Sequence, residues 1–223
     1  MCYNNLVLHF RQPNYDGFKK FCRYLMTDRQ VLYPVVLAVP SSARKLPVRS
    51  RVKFLSRHAR KALEISARKT GIRLGDLLKD DNGRPLPCDG IYWSLTHKPG
   101  YVGAVVSFEK IGIDLEKVEP RRTRALFRKV ADPDEWTLAD SKSWSVFHRY
   151  WTAKEAVLKV TGIGLADLSK CRIIEVCDHL NLVIAYLNQL WPVEHYYFDG
   201  HIASIVKNTE MIKWTRLKRV PVH

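Results

Sequence analysis

The chain has 223 residues, enough to bury a full core as one large or two small domains. Its 46% hydrophobic content is ordinary for a globular protein, and no apolar run approaches the roughly 20 residues that a membrane span needs. Lys and Arg number 37 against 22 Asp and Glu, a formal net charge of +15 that attracts polyanions of any kind.

The first residues, MCYNNLVLHFRQPNYDG, are too short and polar for a signal peptide. Five Cys, at 2, 22, 88, 171 and 177, are an odd number and form no CxxC, which speaks against a disulfide framework or a zinc site and for a reducing cytoplasm. Residues 5–10 read as a short strand and 15–26 as an amphipathic helix. Residues 35–39 read as a buried strand closed by Pro40.

The stretch 41–70 is the most basic, with ten Lys or Arg and one Glu. Residues 51–69 have a helical period, with Val52, Leu55, Ala59, Leu63 and Ser66 on one side. Arg57, Arg60, Lys61 and Arg68 fall on or near the other, and Gly71 is the stop. This face is either a solvated charge run or a surface for phosphate or an acidic partner. A short helical turn is expected at 74–79. A loop follows at 80–87 (DDNGRPLP), then strands at 91–96 (IYWSLT) and 101–108, joined by the turn His97-Lys-Pro-Gly100. A third strand, 111–115, carries Asp114.

Residues 120–130 read as a basic helix. Asp132-Pro133 has the form of a helix start, with Asp as cap and Pro in the first turn. The long helix is expected at 143–160, ending near Gly162. Strands then alternate at 172–177, 182–187, 193–198, 201–206 and 212–217. Each half thus runs helix first and antiparallel strands after, with a break near 109–110. The segments 101–106 and 201–206 are faintly alike.

Asp114 and Glu116 are two apart on a strand and point the same way. Glu155 comes from the long helix, where Lys159 shares its face. A bare helical ion pair would contribute a few tenths of a kcal/mol. Three carboxylates from two elements in so basic a chain also suit a hard cation such as Mg²⁺. Without a cation they would raise one another's pKa unless Lys154 or Lys159 relieved the repulsion. Arg84, His97, Lys159 and the Arg57–Lys61 face are then candidates to surround a phosphorylated ligand.

Four segments in this order, NGRP at 82–85, WSLTH at 93–97, GIDLE at 112–116 and WTAKEAVLK at 151–159 followed by GIGL, resemble the Sfp-type 4′-phosphopantetheinyl transferases. The resemblance covers roughly residues 80–165. It implies an α+β fold of two similar, pseudo-symmetric halves, 1–109 and 110–223, with the active site in the cleft between them. It implies transfer of the phosphopantetheine arm of coenzyme A to a serine of an apo acyl or peptidyl carrier protein, with release of 3′,5′-ADP.

Carried onto this chain, the resemblance makes Asp114, Glu116 and Glu155 Mg²⁺ ligands and Glu155 the favoured general base, with Glu116 or a metal-held water as alternatives. Lys159 would contact the pyrophosphate, Thr96 and His97 the coenzyme A phosphates, and Arg84 the nucleotide end. Arg44, Lys45, Arg57 and Arg60 are candidates for the 3′-phosphate. Relatives commonly differ at 94, 96 and 98. Hydroxyls remain at the first two, and Lys98 adds one cation.

The partner implied is an acidic carrier protein, met by a basic surface in a salt-sensitive encounter. A nucleic-acid-binding reading rests on charge alone, without a recognised motif, so no nucleic acid and no membrane partner is expected. The short, trimeric holo-acyl-carrier-protein synthase type is disfavoured by length, and a monomer is expected.

Overall fold

The computed structural model describes residues 30–81 and 83–218. The expected strand at 5–10 and helix at 15–26 lie outside these residues, as does Asn82 of the NGRP loop. The architecture is a mixed one of helices packed on largely antiparallel sheets.

In chain order the elements are β1 (Val31–Leu32), β2 (Val35–Ala38), α1 (Ser41–Arg44), α2 (Val48–Thr70), β3 (Tyr92–His97), β4 (Tyr101–Ser107) and β5 (Ile113–Lys117). They continue with α3 (Leu126–Val130), α4 (Pro133–Thr137), α5 (Trp144–Thr161), a 3₁₀ turn at Leu165–Asp167, β6 (Arg172–Val176), β7 (Asn181–Tyr186), β8 (Gln189–Phe198), β9 (His201–Val206), β10 (Met211–Ile212) and β11 (Thr215–Leu217).

The first sheet has the order β11-β2-β4-β3 and the second β5-β9-β8-β7-β6. α2 lies on the first sheet, burying Leu55, Ala59, Ala62, Leu63 and Ser66 against β2 and β4. The Ser66 hydroxyl accepts from the Val106 amide, so even the one polar residue of that stripe is satisfied. Gly71 ends the helix in the left-handed region, at φ 72°. Val52, expected on the buried side, is 49% exposed: the buried stripe of the helix starts only at Leu55.

α5 crosses the second sheet. Ser143 caps it by accepting from the Val146 amide, and Gly162 closes it at φ 73°. An aromatic cluster of Phe127, Trp136, Trp144, Phe147 and Tyr150 fixes its N-terminal half. Asp132 caps α4 in a full capping box with Glu135.

The same Glu135 is almost fully buried and carries more than the cap. Its Oε1 accepts from the Ile173 amide at 2.8 Å and pairs with Lys154 Nζ at 2.6 Å. Lys154 is wholly buried, and that burial, opposed by Glu135, lowers its pKa. It therefore points away from Glu155 and into the core.

Three expectations are corrected. Residues 74–79 form no helical turn: the segment runs extended over α2, with Leu74 and Leu77 on the core, and Lys79 bridges Pro85. Residues 120–125 are not helical; only Leu126–Val130 is, because Arg121 is drawn aside to Glu116. The strand expected at 212–217 is split in two. β10 pairs in parallel with β1 as a separate two-stranded sheet, and β11 pairs in parallel with β2, so the last strand returns to the first sheet.

β5 is the seam between the sheets. Its alternation sends Ile113 and Leu115 into small apolar clusters with Val36, Val105, Ala203 and Ile205, and sends Asp114 and Glu116 to the opposite face. On that face Gly112 meets α5. A Cβ added there would stand 2.9 Å from the Ala156 carbonyl carbon and closer still to its oxygen.

Gly112→Ala must therefore push α5 off β5, at a cost of about 1–3 kcal/mol or more, read as a lower urea midpoint; unchanged stability would contradict this packing. Lys154→Met leaves Glu135 buried without its cation and is expected to lose about 3–5 kcal/mol in the same assay.

Candidate active site at the seam between the sheets

β3 and β5 belong to different sheets, and side chains join them. The Ser94 hydroxyl accepts from the Ile113 amide at 3.2 Å, and the Thr96 hydroxyl donates to Asp114 Oδ1 at 2.9 Å. Trp93, pointing the other way, is buried and donates to the Leu86 carbonyl. The alternation of WSLTH is thus a packing residue followed by two stitching hydroxyls.

Lys159 reaches β5 from α5. Its Nζ donates to Asp114 Oδ1 at 2.7 Å and to the Ile113 carbonyl at 2.9 Å. Asp114 is 1% exposed, and its second oxygen, Oδ2, is buried with no hydrogen-bond partner. An orphaned carboxylate oxygen at this depth is costly, and it suits a ligand that brings positive charge or a donor.

Glu155, one turn before Lys159, lines a cleft of about 500 Å³ together with Lys79, Arg84, Ser94, Lys159 and the Gly162–Leu165 segment. Burial, then the charge of Asp114, pushes its carboxyl up to about 7, against the pull of Lys159 and Lys98. Arg84 crosses the end of α5 at Gly162, where a Cβ would stand 2.5 Å from its guanidinium carbon. That contact explains why a glycine follows the catalytic-type helix just where the NGRP arginine arrives.

The sequence-predicted residues do not all meet at one point. Glu155, Lys159 and Arg84 share the cleft, with Asp114 buried behind Lys159. Glu116 opens instead on a neighbouring cavity of about 300 Å³, beside Lys98, Arg121, His148 and Trp151. Among the described residues, no three His, Cys, Asp or Glu are gathered closely enough to hold a metal ion. The donor chemistry still fits a hard cation: an unpartnered buried oxygen on Asp114, and on Glu155 a carboxyl whose pKa burial and the charge of Asp114 raise.

His97 sits at the end of β3. Burial, then Lys159 and Lys98, lower its pKa, which favours the neutral ring. Arg60 donates to the Leu77 carbonyl at 3.4 Å, at the back of Lys79. Arg57 and Lys45 are exposed, on α2 and just after α1, and Arg44 lies beside Gly100. None of these last three lines the cleft.

Lys79 is the cleft residue that sequence reasoning missed. Burial, then Arg60 and Lys159, lower its pKa, so it is one of several cations crowded around an open space. A lone lysine just ahead of a turn gives no periodic signal. Only the antiparallel bridge to Pro85 brings it beside Arg84.

The raised Glu155 pKa has a sign that can be checked in chelator-treated protein. The folded state keeps a proton that the unfolded chain releases near its ordinary 4.5. Stability from this group is full below that value and is lost as pH rises from 4.5 through about 7. Glu155→Gln removes the loss, so its melting temperature gains on the wild type across that window. Parallel pH profiles would contradict the assignment.

Residues 110–206 match the 4′-phosphopantetheinyl transferase superfamily. The 4′-phosphopantetheinyl transferase HetI of Nostoc sp. is 33% identical over 105 residues, 42% of this chain and 44% of that protein. A Haemophilus influenzae protein provisionally named a 4′-phosphopantetheinyl transferase is 30% identical over 166 residues, 69% of each chain. The 4′-phosphopantetheinyl transferase PptT of Mycobacterium tuberculosis is 37% identical over 97 residues, 41% of each. The chain spans less than half the length of the Nostoc and Mycobacterium relatives and just over two thirds of the Haemophilus one. With the seam geometry and the breadth of the Haemophilus match together, the chain belongs to the 4′-phosphopantetheinyl transferase superfamily.

Proposed function

We propose that this protein transfers the 4′-phosphopantetheine arm of coenzyme A to a serine of an apo acyl or peptidyl carrier protein. The observation that carries the reading is Glu155: a half-buried carboxyl, its pKa raised to about 7 by burial and then by the charge of Asp114, in a cleft whose other charged groups, Lys79, Arg84 and Lys159, are all cations. A base of this pKa beside cationic groups fits attack by a hydroxyl on a phosphate ester.

In the reaction the serine oxygen forms a bond to the phosphorus on the pantetheine side of the pyrophosphate. The bridging P–O bond breaks, and 3′,5′-ADP leaves with its electron pair. Glu155 takes the serine proton. Lys159, held by the Ile113 carbonyl and Asp114, is placed to bind the pyrophosphate and to balance charge on the leaving group. Thr96 keeps Asp114 oriented, and His97 and Lys79 are further phosphate contacts. Arg84 faces the nucleotide end. Arg44, Lys45, Arg57 and Arg60 form the basic approach for the 3′-phosphate.

Asp114, Glu116 and Glu155 are the candidate residues toward Mg²⁺, which would supply charge neutralisation at the pyrophosphate. We read the two helix-on-sheet layers, α2 on the first sheet and α5 on the second, as two similar halves with the cleft between them. The formal charge of +15 suits an acidic carrier. Among the described residues no helix is long and apolar enough to cross a membrane, and Cys88, Cys171 and Cys177 are free thiols. We read the chain as a monomeric enzyme of the cytoplasm, with neither nucleic acid nor membrane as partner.

The test is intact mass spectrometry of a panel of apo carrier proteins incubated with the protein, coenzyme A and Mg²⁺. One phosphopantetheine is expected on at least one carrier. Glu155→Gln should lower the rate by about 10²–10⁴-fold, and Lys79→Ala should weaken coenzyme A binding more than the chemical step. Folded protein that modifies no carrier would overturn the reading.

A further inference from the structure

The β8–β9 hairpin turns at Asp199-Gly200, both in the left-handed region, at φ 42° and 68°. Its tip belongs to the second sheet and is held by the first. Tyr101, the first residue of β4, donates its hydroxyl to Asp199 Oδ2 at 2.6 Å. Arg216 of β11 donates to Oδ1 of the same carboxylate at 2.7 Å. β4 and β11 flank β2, so one side chain of the second sheet spans three strands of the first.

An exposed ion pair such as Asp199 with Arg216 contributes little alone. This one covers a set of packed rings. Tyr101 meets Phe198 and His201 edge-on, with centroids 5.1 and 4.9 Å away. Phe198 and His201 stack on each other and are only 7% and 8% exposed. Tyr196 continues the stack to Trp214, just ahead of β11.

The contact adjoins both walls of the seam. On the first-sheet side, the turn carrying His97 and Lys98 ends at Gly100, where a Cβ would stand 3.2 Å from His201 Nε2. The Lys98 amide donates to the Tyr101 carbonyl at 2.8 Å. On the other side, β9 is the strand that pairs with β5. His201 is opposite Lys117, Ser204 is opposite Asp114, and the Val118 amide donates to the Gly200 carbonyl. β5 and β3 lie in different sheets, joined by the side chains of Ser94, Thr96 and Lys98.

We propose that Tyr101, Asp199 and Arg216 form a clasp between the two sheets that sets the width of the seam, with Tyr101 as a positioning residue for catalysis. Through β9 the clasp holds Asp114 and Glu116 opposite Thr96 and Lys98. None of the three lines either cavity of the site, so they act through the strands that do. The effect on catalysis rests on the transferase reading, and the effect on the seam does not.

The test is amide hydrogen exchange of the full chain by nuclear magnetic resonance, followed by carrier-modification kinetics. The Ile113 amide, which crosses the seam to the Ser94 hydroxyl, is the reporter. A substitution quickens exchange at an amide only when the opening that exposes it breaks the substituted contact. Tyr101→Phe removes one oxygen and keeps the ring. Asp199→Gly keeps the left-handed turn and removes both contacts, and Asp199→Asn keeps the turn and an acceptor. Ile184→Val, in the core of β7, is the comparator, because seam opening leaves β7 packed. Tyr101→Phe and Asp199→Gly should each quicken Ile113 exchange about fivefold, and the double variant no more than Asp199→Gly, because they share one contact. Asp199→Asn should stay within about twofold of the wild type and Ile184→Val should leave Ile113 unchanged. Tyr101→Phe should lower kcat about fivefold with KM for coenzyme A within about twofold, the mark of lost alignment. Ile113 exchange that is indifferent to Tyr101→Phe, or quickened equally by Ile184→Val, would overturn the clasp. An unchanged kcat in Tyr101→Phe would overturn its role in catalysis. Tyr101→Phe keeps the test decisive if Asp199→Gly folds poorly. The expected exchange pattern in a protein that modifies no carrier would sink the transferase reading alone, and carrier modification with an indifferent seam would sink the clasp alone.

Discussion

The close approach of β5 to α5 at Gly112 and Ala156 governs the rest of the structure. No side chain separates the strand from the helix at that point. One step further along the strand, on the same face, is Asp114. One turn further along the helix is Lys159, on the same side of the contact as Glu155. The 2.7 Å contact between Lys159 and Asp114 exists because the backbones are this close. Any residue larger than glycine at 112 would move the two charged groups apart together. The glycine of GIDLE and the alanine of KEA are therefore geometric residues, and the acids and lysines beside them owe their positions to that geometry.

Charge is arranged around this contact in two layers. Deep against the second sheet, Lys154 and Glu135 form a buried pair that ties α5 to α4 and to the start of β6. Nearer the cleft, Asp114 and Glu116 are held by lysines and an arginine, while burial and then the charge of Asp114 raise the pKa of Glu155. A buried pair that is broken costs more than it contributed when intact, so the inner layer is a rigid support. The outer layer is where a ligand's charge changes the balance.

Much of this was legible in the sequence because it is local. The α2 and α5 boundaries follow from periodicity, a serine cap and two left-handed glycines. Asp114 and Glu116 share a face by strand alternation, and Glu155 and Lys159 by helical spacing. What sequence could not supply was long-range. Lys154 neighbours Glu155 in the chain, yet about 100° of helical rotation sends it into the core. The pairing of 215–217 with 35–37 joins residues about 180 apart, which no local pattern encodes. Glu116 looked equivalent to Asp114 until Lys98 and Arg121, from a turn and a loop, were seen to close on it. Lys79 entered the cleft only through the fold of its loop.

The proposed function requires the seam of β5 and α5 to gather a divalent cation and the coenzyme A pyrophosphate at one place. Phosphorus-31 magnetic resonance of coenzyme A bound to the protein, with Mn²⁺ added in small amounts, tests it most directly. Selective broadening of the two pyrophosphate signals, with the 3′-phosphate affected less and the effect abolished in Asp114→Asn, is the expected result. Bound coenzyme A whose pyrophosphate signals broaden no more than the 3′-phosphate would contradict it.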